Sequence, residues 1–143
     1  FTLAGTGQGF LSTGSFDAAK SSFKQGFAEL TKAETLLDEF VQTNLMAGQA
    51  ALSRGDRAAA MTAFRATLEK SPGNEVALQG MARAETIDQV FALLQQAKTF
   101  EGQSKFVEAA DAFGRAFALD KFSAVAQQGQ ARALRLDKET RFN

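Results

Sequence analysis

There is no cysteine, histidine, tryptophan or tyrosine in these 143 residues, and only one proline. Without cysteine there is no disulfide and no thiol chemistry, and the redox compartment is left open. Without histidine the chain lacks the usual metal ligand and the usual base at neutral pH. A metal site would then need clustered carboxylates. The acids are dispersed instead: Asp38-Glu39 and Glu85/Asp88 stand among Lys and Gln on helical stretches, as solvated faces do, and Ser12, Ser21 and Ser22 have no candidate base. The sequence predicts no catalysis, no metal and no cofactor. Charge of one sign is missing too. Sixteen Lys plus Arg balance sixteen Asp plus Glu, so there is no net field to hold nucleic acid or an anionic membrane. No apolar run approaches the roughly 18 residues of a membrane span, and no signal peptide is visible. The chain opens at Phe1 without Met, as expected of a soluble domain, cytoplasmic or extracytoplasmic, excised or processed from a larger protein.

What is present points to helices. Hydrophobic residues make up 45% of the chain with Ala prominent, and no long β-branched run interrupts them, so the fold class is all-α. Fourteen Phe supply rings that need no hydroxyl partner when buried. The length suits one continuous core rather than two ordinary domains.

The stretch Gly55–Pro72 sets the pattern. Asp56 is a good helix N-cap, since its carboxylate can accept from a free first-turn amide. Ala60, Ala63, Phe64, Thr67 and Leu68 follow at the spacing of one buried helical face, and Pro72-Gly73-Asn74 stops the helix. A shift of 49 residues lays Ala60, Ala63 and Phe64 on Ala109, Ala112 and Phe113, and Val76–Ala84 on Val125–Ala133. A shift back of 41 lays Gly48, Ala60 and Phe64 on Gly7, Ala19 and Phe23. One unit therefore recurs three times, and each copy needs neighbours to cover its apolar face.

A small residue in a first helix (Gly7, Gly48, Ala97), a helix-ending turn, Ala-x-x-x-Phe in a second helix and a Pro after it resemble the tetratricopeptide repeat. The stretch from about Val41 to Asn74 fits best. Departures are the missing Trp, Lys121 where the Pro belongs, and spacings of 41 and 49 residues against about 34 in that family. The resemblance implies an α-solenoid of repeats at roughly 1–33, 34–74 and 75–122, with a terminal helix over 123–140.

Taken along the chain, Phe1 to Thr13 reads as a first helix. Gly5, Gly7 and Gly9 there lack the strand, further Gly and downstream acid of a phosphate-binding fingerprint. Ser15 to Leu30 reads as a second helix, capped by Ser15 or Asp17 and burying Ala19, Phe23, Phe27 and Leu30. A new helix is expected from about Lys32 to Ser53. Glu75 to Glu101 favours a single rod of about 40 Å over a break at Thr86–Gln89, which has capping-box spacing. Ser104 to Asp120 repeats the second helix with Ala109, Ala112, Phe113, Ala116 and Phe117 inward. Ser123 to about Lys138 either caps the core or begins another repeat.

In the tetratricopeptide family, first helices line a concave groove that takes a peptide or a helix of a partner protein. Carried onto this chain, that resemblance implies a groove of Gln8, Gln42, Leu45, Met46, Gln49, Phe91, Leu94, Gln95 and Lys98, with Arg132 and Arg135 at a basic far end. The alternative for Leu45, Phe91 and Leu94 is packing against neighbouring helices. The function implied is a non-catalytic protein-interaction module. The alternative is a self-associating assembly domain of a larger, membrane-tethered bacterial protein, a homo-oligomer joined through its open last helix, and a third reading is the accessory domain of an enzyme.

Overall fold

A computed structural model describes residues 16–143. Among them the fold is all-α, with five helices and no strand: α1 (Phe16–Arg54), α2 (Arg57–Lys70), α3 (Glu75–Gly102), α4 (Phe106–Leu119) and α5 (Ala124–Phe142). By its contacts the chain divides into two units, Phe1–Phe40 and Val41–Asn143. In the second, α2 packs on α3, α3 on α4 and α4 on α5.

Local chemistry sets the helix ends. Gly55, at φ 73°, terminates α1. Its N–H donates to the Leu52 carbonyl at 3.1 Å and the Asp56 N–H to that of Ala51 at 2.9 Å, which satisfies the carbonyls a helix end leaves open. Asp56 then caps α2 as its sequence predicts, its side chain accepting from the Ala59 N–H at 3.0 Å. Asn74 and Ser123 cap α3 and α5 likewise, accepting from Ala77 and Ala126 at 3.0 and 3.2 Å.

Two phenyl rings organise the core. Phe64 is fully buried and lies between Gly48 of α1 and Gly80 of α3. A Cβ built on either glycine would stand 2.6 or 2.4 Å from ring atoms, so only glycine permits this approach. Phe113 of α4, also fully buried, presses on Gly129 of α5, where a Cβ would meet it at 2.5 Å; Ala97 belongs to the same cluster. Each ring is sixteen residues from the small residue on either side: Gly48, Phe64, Gly80 and then Ala97, Phe113, Gly129. Helix α3 belongs to both clusters. Its first half supplies Ala77, Ala84 and Ile87 to the Phe64 cluster, and its second supplies Val90, Leu94 and Ala97 to the Phe113 cluster. Each buried ring contributes about 1.5–3 kcal/mol of transfer free energy. Thr67, at 0% exposure, is a buried polar residue, and its hydroxyl donates to the Ala63 carbonyl at 3.3 Å.

The α2 stripe is buried as the periodicity predicts, with Leu68 only partly so, and in α4 Ala109, Ala112, Phe113 and Ala116 are buried while Phe117 packs at the edge. The rod is present: α3 is one helix of 28 residues, and the Thr86 hydroxyl donates back to the Arg83 carbonyl instead of capping a new start. Helix α5 buries Ala126, Gly129 and Ala133 against α4, closing that end of the core.

The reading of residues 15–53 is corrected. The expected break between Leu30 and Lys32 does not exist; α1 runs unbroken for 39 residues, and the expected repeat boundary near residue 33 falls inside it. Under the 41-residue shift, Asn74, the residue that caps α3, falls on Ala33, and Gly80 falls on Glu39. Neither a cap nor a glycine to receive a ring is available. Thr31 and Thr35 instead donate their hydroxyls back to the Phe27 and Thr31 carbonyls, both at 2.9 Å, the mid-helix habit of threonine. Ala19, Phe23, Phe27 and Leu30, expected inward, are exposed. The expected first helix over Phe1–Thr13 lies outside the described residues.

Candidate functional site

Within the Val41–Asn143 unit, α1, α3 and α5 share a cleft of about 280 Å³. The last turn of α1 supplies Leu52 and Ser53. The middle of α3 supplies Arg83, Ile87, Val90, Phe91 and Leu94, and the α4–α5 connection with the first turn of α5 supplies Asp120 and Phe122 to Val125. Phe122 and Val125 keep more than half their surface exposed. Phe91 is half-buried against the α1–α2 turn, its ring 2.9 Å from where a Cβ on Gly55 would stand. Gly55 is thus held twice, by its positive φ and by this approach.

The cleft's charged groups are closed on each other. The Arg83 Nε and Nη2 donate to the two carboxylate oxygens of Asp120, both at 3.0 Å, the bidentate geometry that makes such pairs strong. Asp120 Oδ1 also accepts from the Phe122 N–H at 3.1 Å, and the guanidinium carbon lies 5.6 Å from the Phe122 ring centre, within cation–π range. The Asp120 side chain is 2% exposed and that of Arg83 27%. The pair fastens α3 to the α4–α5 connection and fixes where Phe122 stands.

The sequence-predicted groove residues divide. Phe91 and Leu94 line the cleft. Leu45 and Leu94, each 8% exposed, are core residues of the Phe64 and Phe113 clusters respectively, so packing is their main role. They share the buried stripes of Gly48, Ala51 and Leu52 and of Val90 and Ala97. Gln42, Met46, Gln49, Gln95 and Lys98 are exposed and lie outside the cleft lining. Gln8 falls outside the described residues.

At the expected basic far end both arginines have acidic partners. Arg132 donates through Nε and Nη2 to Glu101 at 3.0 and 2.8 Å, tying α5 to the end of α3. Donating to the Glu101 carboxylate raises the Arg132 pKa above its ordinary value. Arg135 is 70% exposed and reaches only Glu139 at 3.9 Å, an i,i+4 pair.

Sequence reasoning missed Ser53, Arg83, Asp120, Phe122 and Val125. Val125 carries a signal, as the repeat image of Val76, but that signal marks a helix and not a cleft. Asp120 carries none, since its image in the earlier copy is Ser71. No group of acidic residues among the described residues could hold a metal ion, and no described helix is long and apolar enough to cross a membrane. No protein-family profile, curated protein or solved structure matches this chain.

Proposed function

We propose that the Val41–Asn143 unit is a tetratricopeptide-like α-solenoid module that binds a segment of a partner protein, peptide or helix, in the cleft between α1, α3 and α5. The observation that carries this reading is the cleft itself. Its walls come from three helices that are first helices in the repeat scheme, and it presents Phe91, Phe122 and Val125 partly open to solvent. Concave, mostly apolar surfaces with few polar groups are where ligands bind. The ionisable groups that line it, Arg83 and Asp120, are spent on each other, which leaves recognition to apolar side chains, since the Ser53 hydroxyl already donates to the Gln49 carbonyl at 3.0 Å. An amphipathic segment with one or two large apolar anchors fits that chemistry. The reading assigns no reaction, because no lining group is placed as a nucleophile or a free base.

The test is a selection of displayed peptides on the full chain, followed by mapping of the bound peptide through backbone amide shifts. The expected perturbations fall on Ser53, Phe91 and Val125. Perturbations clustered instead around Thr62 and Arg65, exposed on α2, would place binding elsewhere and overturn the reading.

A further inference from the structure

We propose that the first half of α1 pairs with the same segment of a second copy of this chain as a short antiparallel coiled coil. The inference does not rest on the cleft, because every residue it uses lies in the Phe1–Phe40 unit. Phe23, Phe27 and Leu30 are 71, 68 and 57% exposed, and Phe16 and Leu37 are exposed too, a long apolar stripe on a helix that holds its shape for many turns. Stripes of this size mark interaction surfaces.

The spacing identifies the partner as another helix. Phe16, Phe23, Leu30 and Leu37 recur every seven residues, and Ala19, Gly26 and Ala33 stand three residues after the first three. A strict seven-residue repeat with a second position three residues on is the seam of a left-handed two-helix coil.

Size and charge choose a second copy and set its direction. In a parallel pair like positions face each other, so Phe23 would meet Phe23 and Gly26 would meet Gly26, crowding one layer and emptying the next. Run antiparallel, Phe23 faces Ala33 of the second copy, Leu30 faces its Gly26 and Leu37 faces its Ala19. Every central layer then joins one large residue to one small one, which is how close packing is reached. The same register sets Lys20 beside Glu34 of the second copy, twice by the two-fold symmetry of the pair, with Phe27 near its own copy at the axis. Glu29 lies beside its copy on the other flank, one like-charge contact against two attractive ones. The parallel register sets Glu29 beside Glu34 twice and gives Lys20 no acid.

Sedimentation equilibrium of the full chain over a range of concentrations tests this, with circular dichroism confirming that the helices persist. The expected result is a dimer that Leu30→Glu converts to monomer. Lys20→Glu and Glu34→Lys each weaken the dimer several-fold, and the two together restore it. A parent chain that stays monomeric at every concentration overturns the proposal, and is what cover by this chain's own first fifteen residues would give. A tighter dimer on Glu34→Lys also overturns it, since that is the sign of a parallel pair. If Leu30→Glu lost its helical signal, the exposed Lys20 and Glu34 variants would still decide, through weakening and rescue.

Discussion

Gly114 and Gly129 would both place a new methyl group 2.5 Å from a neighbour, yet the two contacts are different in kind. At Gly114 the neighbour is the amide end of Gln130; at Gly129 it is the Phe113 ring, which is fully buried and has nowhere to move. Gly129→Ala should therefore destabilise by about 1–3 kcal/mol, whereas Gly114→Ala should be neutral or gain up to about 1 kcal/mol from helix propensity. Urea melts of the two variants check this, and a Gly129→Ala variant as stable as Gly114→Ala would mean that the ring is not confined. The Arg83–Asp120 pair is asymmetric in the same way. Arg83→Ala strands a carboxylate that is 2% exposed, at a cost of about 3–5 kcal/mol. Asp120→Ala leaves a guanidinium that already reaches water, at about 1–3 kcal/mol. Thermal melts should rank them in that order. The glycine and phenylalanine positions were legible because the repeat shows them more than once. Arg83–Asp120 was not, because the shift that relates Arg83 to Arg132 gives the two arginines unrelated acids, and side-chain pairing across 37 residues leaves no local mark.

Among the helices, the 49-residue shift exposes a weak copy. Gly55 ends α1 at positive φ; its image Ser104 ends α3 at φ 60°, and the same carbonyl pairings form, from Ser104 to Glu101 at 3.0 Å and from Lys105 to Phe100 at 2.9 Å. A residue with a Cβ is strained in that conformation. Asp56 caps α2, but its image Lys105 precedes α4 with no side-chain cap. Ser104→Gly should stabilise by about 0.5–1 kcal/mol and Lys105→Asp by about 1 kcal/mol. The pair together should raise the melting temperature by a few degrees; no rise would show that these ends do not limit the fold's stability. Element ends in the second unit were legible wherever Asp, Asn or Ser stands as a cap. The continuity of α1 was not, because the repeat reading carried over a turn from α2 whose residues are absent: Ala33 stands where Asn74 caps, and Lys32 where Gly73 turns.

At the scale of the molecule, two confined rings register α1, α3 and α5 in the Val41–Asn143 unit, and the proposed partner segment docks in their shared cleft. The lining of the cleft was not legible residue by residue. The resemblance groups Leu45 with Met46, yet consecutive residues stand about 100° apart on a helix, and Leu45 is buried while Met46 is 69% exposed. Nor does the resemblance reach Phe122 and Val125, which a connection and a new helix bring in. Introducing Glu at Leu94 would consequently unfold the Phe113 cluster, and it is no test of binding. Val125→Glu is a clean one, because Val125 is 54% exposed and the charge disturbs only what docks there. The measurement is the dissociation constant of a selected peptide, by titration calorimetry, for the parent chain, Val125→Glu and Arg65→Glu. The account predicts on the order of tenfold or greater weakening for Val125→Glu at unchanged melting temperature, with Arg65→Glu binding like the parent. Undiminished binding by Val125→Glu, with loss at Arg65→Glu, would contradict it.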